Sequence, residues 1–564
     1  MTTPSLPDVE TDILVVGTGA SALAAALTAA EHGARVLVIE NSHLYGGTSS
    51  TSGGVMWIPN NHLIGPAGGS DSEADALQYI RELVGDSASD TMISTFVKQA
   101  PRMFRFLDER CGLKFESLDV YCDYHPELPG GKPGYRSCQA LAIRSDGLGR
   151  DIATLQEPHS GTTAFGRINW TAREAHVLVT QAKGAKTLFM KILIRYYLDI
   201  RQRFKTTRDR RLTGGSALIG QLMIALRKRK VKVQLSTALK DYIVENGRVV
   251  GAVVANDGLR QRVLATKGVI VASGGFERNP EMRDKYLPQP TTSAWAAGVP
   301  SNTGEPIAAA MRIGVKMGNM GSAWWAPGFK LSDEDRSRPM FVERALPGCI
   351  LVDQDGKRFC NEAASYHITG GLIAKGGEKT APCWFVFDAR YRGKYNLGPM
   401  FPGPAKMDDW LRPSMKEILR KSDSIAGLAP QIGVPKEVLV ATVDRFNAMA
   451  KVGKDEDFQR GESMCDRYYS DASVKPNPSM AALEKAPFYA IPLYACDIGT
   501  NGGIQTDEFG RALTESGAPL PGLYAAGNCS ASSMGRAYPA AGATLGSGMT
   551  FGYLAARHAL GVTD

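Results

Sequence analysis

Gly17-Thr18-Gly19-Ala20-Ser21-Ala22, followed 23 positions after Gly17 by Glu40, is the stretch of the chain whose residue types and spacing point most directly to chemistry. Gly17 permits a tight turn, Gly19 lets a backbone approach a pyrophosphate, and Ala22 stands where a dinucleotide fingerprint has its third glycine. A carboxylate at Glu40, with Asn41 beside it, suits ribose hydroxyls and would repel a 2′-phosphate.

Such residues work only if a strand, a turn and a helix hold them. Asp12 to Val16 is a short apolar run, an alanine-rich stretch continues to about His32, and Val36 to Ile39 reads as a second strand ending at Glu40. That order predicts a βαβ unit whose helix N-terminus faces an anionic group. Gly46-Gly47-Thr48-Ser49-Ser50-Thr51-Ser52-Gly53-Gly54 then supplies small residues and hydroxyls where a long cofactor is approached closely, which favours FAD over NAD. Val269 to Ala272-Ser273-Gly274 and, some 250 residues later, Gly522 to Gly527-Asn528 each read as a buried strand running into a glycine turn. Together these segments predict a split, Rossmann-like FAD-binding domain interrupted by an inserted domain, an α/β fold with α+β character overall.

At 564 residues and 43% hydrophobic composition the chain can bury more than one core. Nine cysteines are scattered without CxxC or zinc-ligand spacing, so neither a disulfide framework nor a metal site is expected. The first residues lack the pattern of a secretory signal and no run reaches about 18 apolar residues, which predicts a cytoplasmic protein. The net charge is +8, and Lys183 to Arg211 alone holds ten Lys/Arg against two Asp. Within it, Thr187 to Ile200 places Lys191, Arg195 and Asp199 four apart on an otherwise Leu, Phe, Met, Ile and Tyr surface, and Arg201 to Arg211 is basic. The segment at about 183–213 is therefore expected to lie on an anionic membrane surface, on the inner face of the cell membrane. No nucleic-acid-binding motif accompanies it, and no nucleic-acid partner is expected.

The chain resembles the flavoprotein superfamily of fumarate reductase and succinate dehydrogenase, and within it the 3-ketosteroid Δ1-dehydrogenases. The resemblance rests on Tyr121-Cys-Asp-Tyr124-His-Pro-Glu-Leu-Pro-Gly-Gly, Glu343-Arg-Ala-Leu-Pro-Gly348, Asn361-Glu362-Ala-Ala-Ser-Tyr366 and Tyr538-Pro-Ala-Ala-Gly542-Ala-Thr-Leu-Gly546. It implies an FAD domain over 1–280 and 483–564 and a catalytic domain over 281–482. It adds Ala238, Gly542, Thr544 and Leu545 to the residues expected at the cofactor. No histidine falls between Gly47 and Gly54, so FAD is expected to be held noncovalently.

The same resemblance implies 1,2-dehydrogenation of a 3-ketosteroid, with a sterol-derived, hydrophobic ketone as the expected substrate and a quinone or carrier as external electron acceptor. A proton must leave carbon 2 and a hydride carbon 1, and charge develops on the carbon 3 oxygen. By resemblance Tyr366 is the base, Tyr124 its hydrogen-bonded helper, with Tyr121 able to exchange roles with it, and the Tyr538 hydroxyl and Gly542 N–H hold the ketone oxygen. Alternatives are a Δ4-(5α)-dehydrogenase, an enoate reductase of the fumarate reductase branch, or a lipid-binding flavoprotein without turnover.

Overall fold

The computed structural model describes residues 6–563. Val9–Val16 forms the middle of an eight-stranded sheet, with Leu259–Val271 and Val36–Ile39 as parallel neighbours on its two sides. Lys232–Gln234 extends one side in parallel, and Pro519–Ala525 the other. Covered on both faces, the central strand carries the unbroken apolar run Ile13 to Val16, all buried. Thr237–Glu245 and Arg248–Asn256 attach as an antiparallel meander to the first half of Leu259–Val271.

Two helices deliver their N-termini to one end of this sheet. Ala20–Glu31 follows the Gly17 turn, and Ala543–Ala559 follows Gly542. They lie almost backbone to backbone. A Cβ on Gly552 would come within 2.6 Å of the Ser21 carbonyl oxygen, and one on Gly548 within 2.2 Å of Ser21 Oγ. Alanine on the first helix and glycine on the last let residues more than 500 apart in sequence share one core.

The second layer is a six-stranded sheet in the order Arg338–Pro339, Ala323–Phe329, Phe488–Thr500, Cys383–Phe387, Cys349–Val352, with Arg420–Ser422 also paired to Phe488–Thr500. Its pairings are antiparallel. Ile425–Ile432 and Lys436–Val452 cover one face through a small apolar core around Ile350, Val386 and Phe446. Tyr366–Gly376 packs on Ala323–Phe329, where a Cβ on Gly370 would lie 2.6 Å from the Ala326 nitrogen.

Phe488–Thr500 departs from the division expected at 482/483. It is a central strand of the inserted sheet, bonded to Ala323–Phe329 and Cys383–Phe387. An apolar run signals a buried strand without saying which sheet it joins, because partner choice is a long-range matter. The basic segment forms the helix Ala185–Leu198, which ends at Asp199 before a short turn, Ile200–Arg203.

Candidate active site

A cavity of about 430 Å3 runs through the junction of the two layers. One end is walled by Gly17, Gly19, Ala20 and Ser21, by Glu40 and Asn41, by Gly47, Thr48, Ser49, Ser52, Gly53 and Gly54, and by Ala238, Ala272, Ser273 and Gly274. Gly527, Asn528, Gly542, Thr544 and Leu545 close it from the C-terminal part of the chain. Two expected residues lie off the wall. Ala22 is wholly buried in the helix core, and Gly46 serves the turn before the short helix Gly47–Thr51, its N–H donating to Thr18 Oγ1 at 2.9 Å.

These walls fit FAD. Gly17 has a φ of +109°, and a Cβ there would strike the Ala272 carbonyl oxygen at 2.4 Å; one on Gly54 would lie 2.1 Å from the Gly214 carbonyl carbon. The cradle is thus backbone-lined and leaves a long cofactor room to lie close. Ser273 and Gly274 continue this wall from the end of the strand Leu259–Val271. The Glu40 carboxylate is fixed by the Thr18 hydroxyl at 2.6 Å and the Ser42 N–H at 2.9 Å, so it is aimed before any ribose arrives.

The other end is aromatic. Tyr366 and Tyr538 line it with Tyr121, Phe341, Tyr468 and Tyr469. The Tyr366 hydroxyl donates to that of Tyr538 at 3.1 Å, which brings the start of an inserted-domain helix against the loop before Ala543–Ala559. Tyr366 and Tyr538 are 7% and 5% exposed, and burial pushes both hydroxyls up from the usual tyrosine value, Tyr366 far up. Both therefore rest as phenols at neutral pH. Gly542 has a φ of +89°, and a Cβ there would lie 2.2 Å from the Val55 carbonyl oxygen.

Tyr124 stands behind the wall rather than on it. Its ring meets Tyr366 edge-on at 5.6 Å and stacks on Tyr538 at 5.7 Å. The Tyr124 side chain also acts on Tyr366 as a hydrogen-bonding neighbour that opposes the rise burial causes there. Tyr124 also donates its backbone N–H to Pro539 at 2.9 Å, which steadies the Tyr538 loop. Tyr121, the other candidate for that role, accepts from the Tyr469 hydroxyl at 2.6 Å.

Several contributors carry no motif that sequence reasoning singled out. His176 lines the cavity and stacks on Tyr468 at 4.2 Å. Asn302 donates to Thr48 Oγ1 at 3.1 Å and to Glu277 Oε1 at 2.6 Å. Glu277 lies behind the cofactor end, completely buried, its Oε2 unpartnered. Asn302 opens the Asn302-Thr-Gly304-Glu305 stretch after the Gly275 turn, the one local signal that could have revealed this network.

The model of the FAD binding domain family matches residues 12–545, and the chain belongs to that family. Over 97% of its length the chain is 40% identical to a 3-oxosteroid 1-dehydrogenase of Mycobacterium tuberculosis (strain ATCC 25618 / H37Rv), of which 98% is covered. It is 35% identical to a 3-oxosteroid 1-dehydrogenase of Comamonas testosteroni, covering 98% of this chain and 97% of that one. Among solved structures it is similar to the 3-ketosteroid Δ1-dehydrogenase of Sterolibacterium denitrificans in complex with 1,4-androstadiene-3,17-dione, with a TM-score of 0.95, 40% identity, and coverage of 98% of this chain and 100% of that one.

Glu277 yields a pH-dependent consequence. Burial first, and the Asp497 carboxylate second, push it from its ordinary 4.5 up to about 7, against the Asn302 hydrogen bond. A carboxyl that holds its proton better folded than unfolded costs stability as pH rises through that window, and the cost is complete above it. Glu277→Gln should therefore gain in melting temperature relative to the native chain as pH goes from 5 to 8. Thermal scans giving the same difference at both pH values would contradict the assignment.

Proposed function

We propose that this chain is an FAD-dependent dehydrogenase of 3-ketosteroids that introduces the carbon 1–carbon 2 double bond of a 3-oxo-Δ4-steroid. The observation that carries the reading is the pair of buried phenols, Tyr366 and Tyr538, in hydrogen-bond contact at the aromatic end of a cavity whose other end fits FAD. Near-full-length similarity to 3-oxosteroid 1-dehydrogenases supports it.

FAD supplies the acceptor for the hydride leaving carbon 1. The residues of the chain do the rest. The Tyr538 hydroxyl, kept protonated by burial, donates to the carbon 3 oxygen, and the Gly542 N–H adds a donor at the N-terminus of a 17-residue helix whose dipole favours negative charge there. As that oxygen gains charge the carbon 2 proton becomes more acidic, and Tyr366 takes it in its phenolate form, having first released its own proton to solvent. The aromatic walls exclude water, which strengthens both interactions.

The hydrophobic substrate gives a role to the segment at 183–213. No described helix is long and apolar enough to cross a membrane. On Ala185–Leu198 and the turn after it, Met190, Ile194, Tyr197, Leu198 and Ile200 are exposed, and Phe204 is 89% exposed. The rings of Phe165 and Phe401, themselves exposed, meet at 4.9 Å and extend the patch. Exposed Lys183, Lys186, Lys191, Arg201 and Lys205 surround it. Part of the basic cluster is internal instead, with Arg210 on Asp199 at 3.1 Å and Arg211 on Glu174 at 2.8 Å. The patch suits insertion at an anionic lipid surface. Ala172–Val179, which packs on this helix, also contributes Ala172, Ala175, His176 and Val179 to the cavity wall, so a sterol-derived ketone would pass from lipid to site over a short path. The electron acceptor in this reading is an external quinone or carrier.

Tyr366→Phe should load FAD and bind steroid while reducing its flavin at least about 100-fold more slowly under anaerobic mixing, the scale of losing a general base. An unchanged rate would remove Tyr366 from the role. Replacing Met190, Ile194, Leu198 and Phe204 by serine should release the protein from sedimenting anionic liposomes and leave turnover of a soluble steroid intact. Undiminished co-sedimentation would refute the membrane assignment.

A further inference from the structure

A tyrosine base passes through a charged form in a site where burial opposes that charge. A compensating cation is therefore to be sought, and most nearby candidates are already spent. Arg338 is the basic residue on the cavity wall, and Glu334 grips it through two 2.7 Å hydrogen bonds. Arg136, bonded to Asp123 next to Tyr124, sits between Asp71 and Asp123 at 2.7 and 2.8 Å. Burial pulls His159 and His367 down to about 4 and lowers His176 as well, so these rings are neutral. Arg536 points to solvent.

Arg344 remains. It is 1% exposed, and among the described residues no carboxylate lies within ion-pair distance of it. Its guanidinium donates instead to backbone carbonyls of Glu362 and Ala364, and to that of Phe341 at 3.4 Å; its Nε has no partner. Those acceptors bracket the base. Ala364 lies two residues before Tyr366, and the Phe341 ring packs on the Tyr366 ring at 4.8 Å. The adjoining carboxylates are taken: Glu362 by Arg358 at 2.8 Å and Arg460 at 3.1 Å, and Asp455 by Arg358 at 2.7 Å. Of the other carboxyls in its field, Asp466 and Glu343 are raised by burial. The remaining groups it faces are the Tyr124 and Tyr469 phenols and the Cys349, Cys360 and Cys465 thiols, all neutral at rest. A buried guanidinium with no direct ion-pair partner is costly to keep, so its retention calls for a compensating use.

We propose that Arg344 is a positioning residue whose unpaired buried charge stabilises the negative charge that Tyr366 carries in its basic form. The inference rests on the reading of Tyr366 as the base and adds the source of its basicity. The guanidinium is pre-oriented by the Ala364 and Phe341 carbonyls and acts on Tyr124, whose ring meets Tyr366 edge-on at 5.6 Å, so its charge reaches the base through a low-dielectric interior.

Two variants separate this role from a merely structural one. Arg344→Lys keeps the charge and loses the planar fork. Arg344→Gln keeps a donor for the carbonyls and loses the charge. With FAD content and steroid affinity measured alongside, Arg344→Gln should lower the anaerobic flavin-reduction rate at least about tenfold, one unit of proton affinity, and Arg344→Lys by no more than about threefold. The reverse order would overturn the proposal, because it would make carbonyl bonding the function. If Arg344→Gln does not load FAD, Arg344→Lys decides alone: a loaded lysine variant slowed more than about tenfold contradicts the charge role. Tyr366→Phe run in parallel keeps the two claims apart. A slow Tyr366→Phe with a fast Arg344→Gln defeats only the arginine's role, whereas a fast Tyr366→Phe defeats the reading of the base.

Discussion

The hydrogen bond between the Tyr366 and Tyr538 hydroxyls joins residues 172 apart in sequence and fixes one layer of the molecule against the other. Tyr366 begins a helix packed on the inserted sheet, and Tyr538 sits in the loop that leads into the last helix of the cofactor layer. The bond brings together two buried phenols, the base and the oxyanion donor of the proposed function, only if both layers hold their register. Tyr124 reinforces the junction through its rings and through Pro539, which also accepts from the Tyr79 hydroxyl at 2.6 Å. Trp324, from the inserted sheet, spans the same junction, donating its indole N–H to Asn528 at 3.0 Å with its ring 5.1 Å from Tyr538.

The cofactor end is governed by the complementary constraint, close backbone approach. Gly17, Gly54 and Gly542 each occupy a left-handed conformation where a Cβ would strike a carbonyl group. The backbone so kept clear lines one end of the cavity, and the aromatic residues line the same cavity. Chemistry at the junction then needs little from the protein beyond placement, exclusion of water and control of one proton.

The local half of this arrangement was legible in the sequence. A strand, a glycine turn, a helix and an acid at a fixed spacing are short-range signals, and Gly17, Gly19 and Glu40 stand on the cavity wall as that spacing required. Resemblance extended the reading to Tyr366 and Tyr538. Long-range choices were not legible: that Phe488–Thr500 joins the inserted sheet, that the Tyr124 ring packs between Tyr366 and Tyr538, and that Glu277 waits behind Asn302 all depend on partners distant in sequence. Ala22 and Gly46 stand off the cavity wall. They fit the motif's spacing, yet one serves helix packing and the other a turn.

The division of labour between Tyr366 and the hydride acceptor can be probed without any net turnover. With the enzyme held anaerobically in its dithionite-reduced form, a 3-ketosteroid in D2O has nowhere to deliver a hydride, so only proton removal and return can occur. Mass spectrometry should find deuterium at carbon 2 with the native chain and almost none with Tyr366→Phe. Exchange at carbon 2 at the native rate in Tyr366→Phe would contradict the account, because some other group would then be moving the proton.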